Sequence, residues 1–325
     1  MSTPIILFNF KNYWMNPFIG KFINPNFEGI LIFEENKKPI FISHPFNFEQ
    51  AKKKYPEIIV KNYSNQKELE KLLNLFFKKK VGYDSKHTTI NQMKTLKKIL
   101  KKRTFIDCSK IIAKNREIKN VDEIKNISIA SRETKKVVKK AKQKLVKGIT
   151  EKEIDFFIRN EFQKDNFETA FCIIAFGKNT KNLHHIPTNK KLFDGPVLFD
   201  VGAKYNNYCA DFSTSFWFGE KTKKYIKFEK DLKKVNDCLK RIESKLNSGR
   251  KASELFAEAN NLRIPHAIGH GIGLEEHDFP EGISLNSNWR LKEGMVLAIE
   301  PAIYNNFGIR IEKNYLIKKD GFKEL

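Results

Sequence analysis

Seven residues in the second half of the chain have the side chains of metal ligands, and they recur at strand-like positions. Asp200 closes the apolar run Pro196–Phe199 (PVLF), and Asp211 opens DFSTSF, where Phe212, Thr214 and Phe216 alternate with Ser213 and Ser215. His266 and His270 share the segment PHAIGHGIG, and His277 comes seven residues later. Glu300 closes the run VLAI, and Glu312 ends GIRIE. A carboxylate at the end of a buried strand loses several kcal/mol of hydration unless a cation or donors compensate it. The sequence neighbours of these four are mostly apolar, so one or two divalent cations are the economical compensation. Four carboxylates and one imidazole form a hard, oxygen-rich set. It suits Mn²⁺, Co²⁺, Fe²⁺ or Zn²⁺ in a two-metal hydrolase, Mn²⁺ or Co²⁺ being the cations for work in vitro, and does not suit a structural thiolate zinc.

Other site chemistries find little support. Cys108, Cys172, Cys209 and Cys238 are far apart and form no CxxC pair, so neither a disulfide framework nor a thiolate site is expected. Gly269, Gly271 and Gly273 have no P-loop lysine after them and are expected to let backbone pack closely beside the site.

The elements that must hold these residues are read from periodicity. In the first third, Gly29–Phe33, Pro39–Ser43, Glu57–Val60, Val81–Asp84 and Thr104–Cys108 read as strands. Helices are expected over 48–55, 67–80 and 89–101, the second placing Leu69, Leu72, Leu73 and Phe76 on one face. Alternation of this kind predicts a mixed sheet flanked by helices. A boundary is expected near residues 110–122. A long helix then runs from about Asp122, capped by Asp122 or Asn120, to a stop at Gly148. Thr150 and Glu153 form a capping box for a helix to about Lys164. Further strands are expected at 169–176, 196–201, 211–218, 295–299 and 308–317, interrupted by helices at about 221–246 and 252–261.

The chain has 325 residues, 61 Lys+Arg against 38 Asp+Glu, and a formal charge of +23. That length favours two domains, and a 40% hydrophobic content with 28 Phe excludes global disorder. So basic a balance invites a nucleic-acid reading. Residues 1–113 contribute +12 and residues 114–325 contribute +11, so the charge is spread rather than gathered into an arm. Lysine runs such as Lys52–Lys54 and Lys78–Lys80 fall within or beside helical patterns, as solvated faces do. No zinc-finger spacing, heptad run or basic-aromatic RNA signature accompanies them. No specific nucleic-acid partner is expected, and no membrane, since there is no signal pattern or apolar run long enough to span one. A reducing cytoplasm is expected.

The ordered set DVGA (Asp200), ADFSTSF (Asp211), HAIGHGIG (His270), IEPAIY (Glu300) and GIRIE (Glu312) resembles the pita-bread metallopeptidases, a family that includes methionine aminopeptidase, aminopeptidase P, prolidase and creatinase. AKNREIKNVDEI (113–124) and VGYD (81–84) resemble the join and small domain of the prolidase and aminopeptidase P branch. The resemblance covers nearly the whole chain, with residues 1–28 the least certain part. It implies an α/β (α+β) architecture: a small creatinase-like N-terminal domain over 1–113 and a pita-bread catalytic domain over 114–325.

The resemblance also implies roles. Asp200 chelates one metal, His270 and Glu300 hold the other, and Asp211 and Glu312 bridge the pair. A bridging hydroxide is the nucleophile, and Glu300 shuttles its proton. His184, in LHHIP, lies near the scissile nitrogen, with His185 as its rival for that place. His277 stabilises the oxyanion, His266 lies near the substrate's proline and carboxylate, and Arg310 braces Asp200. The implied activity is hydrolysis of Xaa-Pro bonds, of dipeptidase or aminopeptidase type, on a peptide with proline second, by a homodimer. The alternatives are a methionine aminopeptidase-like enzyme, against which the N-terminal domain and REIKNVDEI speak, and a non-catalytic relative binding RNA or a ribosome, against which five intact ligands speak. Two departures blur the substrate: Thr214 stands where the family often has Arg, and Asp278 where it often has Glu. Tyr13, Trp14 and Phe18 form an aromatic segment that could reach a neighbouring active site and limit substrate length.

Overall fold

The structure, a computed structural model, describes residues 2–10 and 15–325. Its contacts divide the chain into two compact units, Met1–Asn115 and Arg116–Leu325.

In the first unit, short Ile-, Leu- and Phe-rich runs pair into a six-stranded mixed sheet. The strands are β1 (Ile5–Asn9), β2 (Gly29–Phe33), β3 (Ile40–Ser43), β4 (Ile59–Asn62), β5 (Lys80–Tyr83) and β6 (Thr104–Asp107), in the order β4-β3-β2-β1-β5-β6. The three helices between them are α1 (Pro45–Lys54), α2 (Gln66–Phe76) and α3 (Ile90–Ile99). β1 was not among the expected strands; it enters the sheet between β2, antiparallel, and β5, parallel. α1 starts three residues earlier than expected because His44 caps it and Pro45 supplies a preset φ at its first position. Phe18 is fully buried and meets Phe22 and Phe33 edge-on at 5.2 and 5.1 Å, so it is core and cannot reach a neighbouring site. Tyr13 and Trp14 lie outside the described residues. The expected boundary segment holds a helix, α4 (Ser109–Glu117), which leads into the second unit.

In the second unit, Asn120 caps α5 (Val121–Gln143) and Thr150 caps α6 (Glu151–Lys164). Each cap is reciprocated by the glutamate three residues on, Glu123 and Glu153. α5 stops at Gln143 and not at Gly148. The chain turns early because Leu145 and Ile149 both pack onto the core that holds Val137 and Ile154. Gly148, at φ +92°, serves the turn into α6.

Next in the chain is an antiparallel sheet, in the order β10-β8-β7, from β7 (Glu168–Phe176), β8 (Gly195–Tyr205) and β10 (Phe212–Phe218), with β9 (Tyr208–Cys209) folded back on β8. After α7 (Lys223–Glu243) and α8 (Ala252–Ala257) comes a second antiparallel sheet, β11-β12-β15-β16. Its strands are β11 (Gly269–Gly271), β12 (Val296–Ile299), β15 (Lys313–Lys318) and β16 (Gly321–Glu324). A hairpin, β13 (Ala302–Tyr304) with β14 (Gly308–Arg310), lies between β12 and β15 in sequence.

Two expectations about ligand-bearing strands are corrected. Asp200 is not at a strand end: β8 runs for 11 residues and Asp200 lies in its middle, opposite Ser213 of β10 and Ile173 of β7. The stretch 308–317 is not one strand: it breaks at Ile311 and Glu312, whose N–H groups donate to Pro301 O at 3.4 Å and Ser213 O at 3.0 Å. The break ties Glu312 to β10.

Candidate metal centre

Asp211, His270 and Glu312 are all buried, and each places a ligand atom within 4.8 Å of the others. His270 comes from β11, the shortest strand of its sheet. Its Nδ1 lies 3.1 Å from Gly271 O, which fixes the proton there and turns the Nε2 lone pair to the carboxylates. Nε2 lies 3.8 Å from Asp211 Oδ2, 3.8 Å from Glu312 Oε1 and 3.9 Å from Glu300 Oε1. The glycines around it act by closeness. A Cβ on Gly269 would sit 2.3 Å from Ala298 O, and one on Gly271 would sit 2.2 Å from the Phe279 carbonyl carbon. Glu300 comes directly after β12 and is largely buried; its N–H donates to Ile268 O at 2.8 Å.

Of the five expected ligands, Asp200 and Glu300 fall outside that group of three. Asp200 Oδ2 is paired with Arg310 Nη2 from β14, and its Oδ1 accepts from Ser213 Oγ at 2.7 Å. Ser213 Oγ also lies 2.9 Å from Glu312 Oε2 and accepts from Arg310 Nε at 2.9 Å. Arg310 donates its remaining nitrogen to Tyr304 Oη at 3.1 Å. Ser215 ties in the backbone of Arg310 through bonds of 2.9 and 3.1 Å. Sequence reasoning passed over Ser213 and Ser215 as strand alternation. The signal was present, since they occupy the inward positions of a strand that begins at a candidate ligand.

The electrostatics are those of a site short of positive charge. Burial raises the carboxyls of Asp211 and Glu300 well above their ordinary range, and the charge of Glu312 adds to both. Burial, then Asp200, pushes Glu312 up to about 7. Burial, then neighbouring His277, lowers His270 to about 3. Burial alone would lower Arg310; Asp200 and the other acids reverse that and hold it charged. Asp211 Oδ1 and Glu312 Oε1 are buried and meet no hydrogen-bond donor among the described residues. Buried acceptors without donors, a neutral imidazole turned toward them and like charges crowded together fit a divalent cation.

Three further histidines lie around this group. The His277 ring is stacked on that of His270, centroids 4.0 Å apart and planes 10° from parallel. His266 lies with Nδ1 2.6 Å from Ala267 O and Nε2 3.3 Å from Tyr304 Oη. His184 is exposed. Burial lowers both His266 and His277, and His184 is among the neighbours that add to it. His185 points elsewhere: it is buried, with Nε2 2.8 Å from Glu151 Oε2. Of the two rivals, His185 is committed to Glu151, while His184 is left exposed.

Comparisons with known proteins agree. A family profile described as Metallopeptidase family M24 matches residues 125–319, and one described as Creatinase/Prolidase N-terminal domain matches residues 12–118. An uncharacterized peptidase of Methanocaldococcus jannaschii is 32% identical over 96% of this chain and 88% of its own. One of Staphylococcus epidermidis is 29% identical over 100% of this chain and 93% of its own. The crystal structure of the prolidase from Pyrococcus horikoshii is 26% identical and superposes with a TM-score of 0.87, covering 99% of this chain and 93% of that one. The X-Pro aminopeptidase from Thermotoga maritima, at 24% identity, shares the fold with a TM-score of 0.89 over 99% of this chain and 95% of that one. With the M24 profile matched over more than half of its length and a buried group able to hold a metal ion, the chain belongs to metallopeptidase family M24, its pita-bread catalytic part preceded by a creatinase/prolidase N-terminal domain.

Proposed function

We propose that this protein is a dinuclear-metal exopeptidase that hydrolyses the Xaa-Pro bond of peptides with proline in second position. The observation that carries this reading is the gathering of His184, His266, His277 and Tyr304 around the Asp211–His270–Glu312 group. Asp200, Asp211, His270, Glu300 and Glu312 are the residues that would hold the two cations, with Asp211, His270 and Glu312 at the centre of the group. Bound there, two divalent cations supply Lewis acidity and a water acidic enough to react near neutral pH. Glu300, directly after β12, would be the carboxylate that takes a proton from the attacking water and returns it to the leaving nitrogen. His277, held flat on His270, donates to the oxygen that gains charge. His184 lies at the scissile nitrogen, and His266 with Tyr304 faces the proline and the part of the substrate beyond it. Arg310 keeps Asp200 oriented and ionised. The same reading has a cytoplasmic homodimer, which sedimentation of the purified protein checks.

The test is chain-length and sequence preference. Purified protein loaded with Mn²⁺ or Co²⁺ is assayed on Xaa-Pro dipeptides, Xaa-Pro-Yaa peptides and a Met-Ala-Ser peptide. Cleavage of the proline peptides is expected; cleavage confined to the methionyl peptide would sink the reading. A preference for dipeptides or for longer peptides then decides between the dipeptidase and aminopeptidase forms.

A further inference from the structure

The sequence REIK at 116–119 joins α4 to α5, and the metal centre with its histidines leaves it without a role. Both of its basic residues are buried, Arg116 at 2% exposure and Lys119 at 4%. A buried Arg and Lys three residues apart are costly unless both are paired. They are paired with one turn, residues 273–279, which carries His277.

Arg116 Nε lies 2.7 Å from Asp278 Oδ1, and Nη2 lies 2.6 Å from Glu275 Oε2. The guanidinium also sits 5.4 Å from the centre of the Phe279 ring. Lys119 Nζ donates to Phe279 O at 2.6 Å. Asp278 passes the constraint inward: its carboxylate accepts from Leu274 N at 2.8 Å and from Phe279 N at 2.6 Å. Its own N–H donates to Gly271 O at 2.8 Å, the carbonyl that also faces His270 Nδ1. So the turn is held at four of its residues, Leu274, Glu275, Asp278 and Phe279, and His277 lies among them.

We propose that Arg116 and Lys119 are positioning residues for catalysis: they clamp the 273–279 turn so that the His277 ring stays stacked on His270. The inference rests on the peptidase reading for His277's role, though not for the clamp itself. Lys cannot replace Arg116 here, because only a planar fork reaches Asp278 and Glu275 together.

Full-length protein loaded with Mn²⁺ is compared with Arg116→Gln, Glu275→Gln and, as a control on the same segment, Lys292→Gln, which loses only an exposed pair to Glu117. The readouts are kcat and KM on the best Xaa-Pro peptide, metal content, and hydrogen exchange at Leu274, Asp278 and Phe279. Arg116→Gln is expected to lower kcat about 100-fold with KM and metal content near wild type, since a misplaced group costs on that order. The three amides exchange faster, and Lys292→Gln behaves as wild type. Wild-type kcat in folded Arg116→Gln overturns the proposal, as does a loss of activity that only accompanies loss of metal. If Arg116→Gln does not fold, Glu275→Gln decides: it keeps the Arg116–Asp278 pair, and faster exchange with lowered kcat supports the clamp while no change in either refutes it. If wild type cleaves no Xaa-Pro peptide, the Xaa-Pro reading has failed, and exchange alone judges the clamp.

Discussion

At the scale of single residues, the centre is a balance between like charges that the fold forces together. Asp211 is the clearest case: it is buried, one of its oxygens has no donor, and Glu312, Asp200 and Glu300 all act to protonate it. Asp211→Asn therefore has two opposite consequences. It removes a ligand, so metal content falls and peptidase activity drops by more than about 100-fold, the upper end of what even an outer partner of a metal site costs. It also removes a crowded acid, so metal-free Asp211→Asn protein has a higher Tm than metal-free wild type at pH 8. Calorimetry on chelated samples with metal analysis on loaded ones checks both signs; a lower Tm for the metal-free variant at pH 8 counts against crowding as the cause.

At the scale of elements, the loops matter as much as the strands. Glu151 opens α6 and is fully buried, yet its carboxylate gathers the loop that carries His184. It accepts from Phe176 N at 2.8 Å, Asn179 Nδ2 at 2.9 Å, and Thr188 N and Oγ1 at 2.9 and 2.7 Å, with His185 Nε2 at 2.8 Å. Burial works to raise its pKa, and these donors outweigh it, His185 foremost. A glutamine cannot accept from so many, so Glu151→Gln should cost about 1.5–3 kcal/mol, the range for a bond to a charged group. It should also lower kcat through His184 with metal content intact, measured by denaturant unfolding beside steady-state kinetics; unchanged kcat in the folded variant removes Glu151 from the positioning of His184. How much of this was legible depends on the range of each interaction. The capping boxes at Asn120 and Thr150 were readable because both partners lie within one turn. The ligands were readable because a carboxylate beside an apolar run is a local contradiction. The break at Ile311–Glu312 was not, since GIRIEKNYLIK reads as an unbroken strand and only Ser213, far away in sequence, takes the Glu312 N–H. Arg116 and Glu151 were invisible for the same reason: one cation or carboxylate at a helix end looks solvated until partners distant in sequence arrive.

At the scale of the whole molecule, a charge of +23 lies outside a centre of concentrated negative charge, and pH separates the two. The exposed lysine pairs, such as Lys136–Asp165 and Lys233–Asp237, contribute little each. The lysines keep their protons through neutral pH, so their repulsion is constant there. Glu151 and Asp84, both held below their ordinary values, are ionised in folded and unfolded chains alike above about pH 5. His266, His270 and His277 are lowered by burial, so below about pH 6.5 the unfolded chain binds more protons at them and stability rises with pH. Above that pH the histidines are neutral in both states and only the raised carboxyls remain. Glu312 at about 7, with Asp211 and Glu300 raised well above their ordinary values, keeps protons in the folded metal-free protein that the unfolded chain has released. The folded state then binds more protons, and its stability falls as pH rises through about 7. Metal-free protein should therefore lose Tm as pH rises from 6.5 through about 7. Metal-loaded protein should not share that loss, because the cations take the place of those protons. Loading at pH 6.5 should release protons, seen as a binding enthalpy that depends on the buffer. A metal-free Tm that stays level or climbs across that window would show that the four carboxylates are not crowded in the folded chain, and the centre's preference for cations would need another cause.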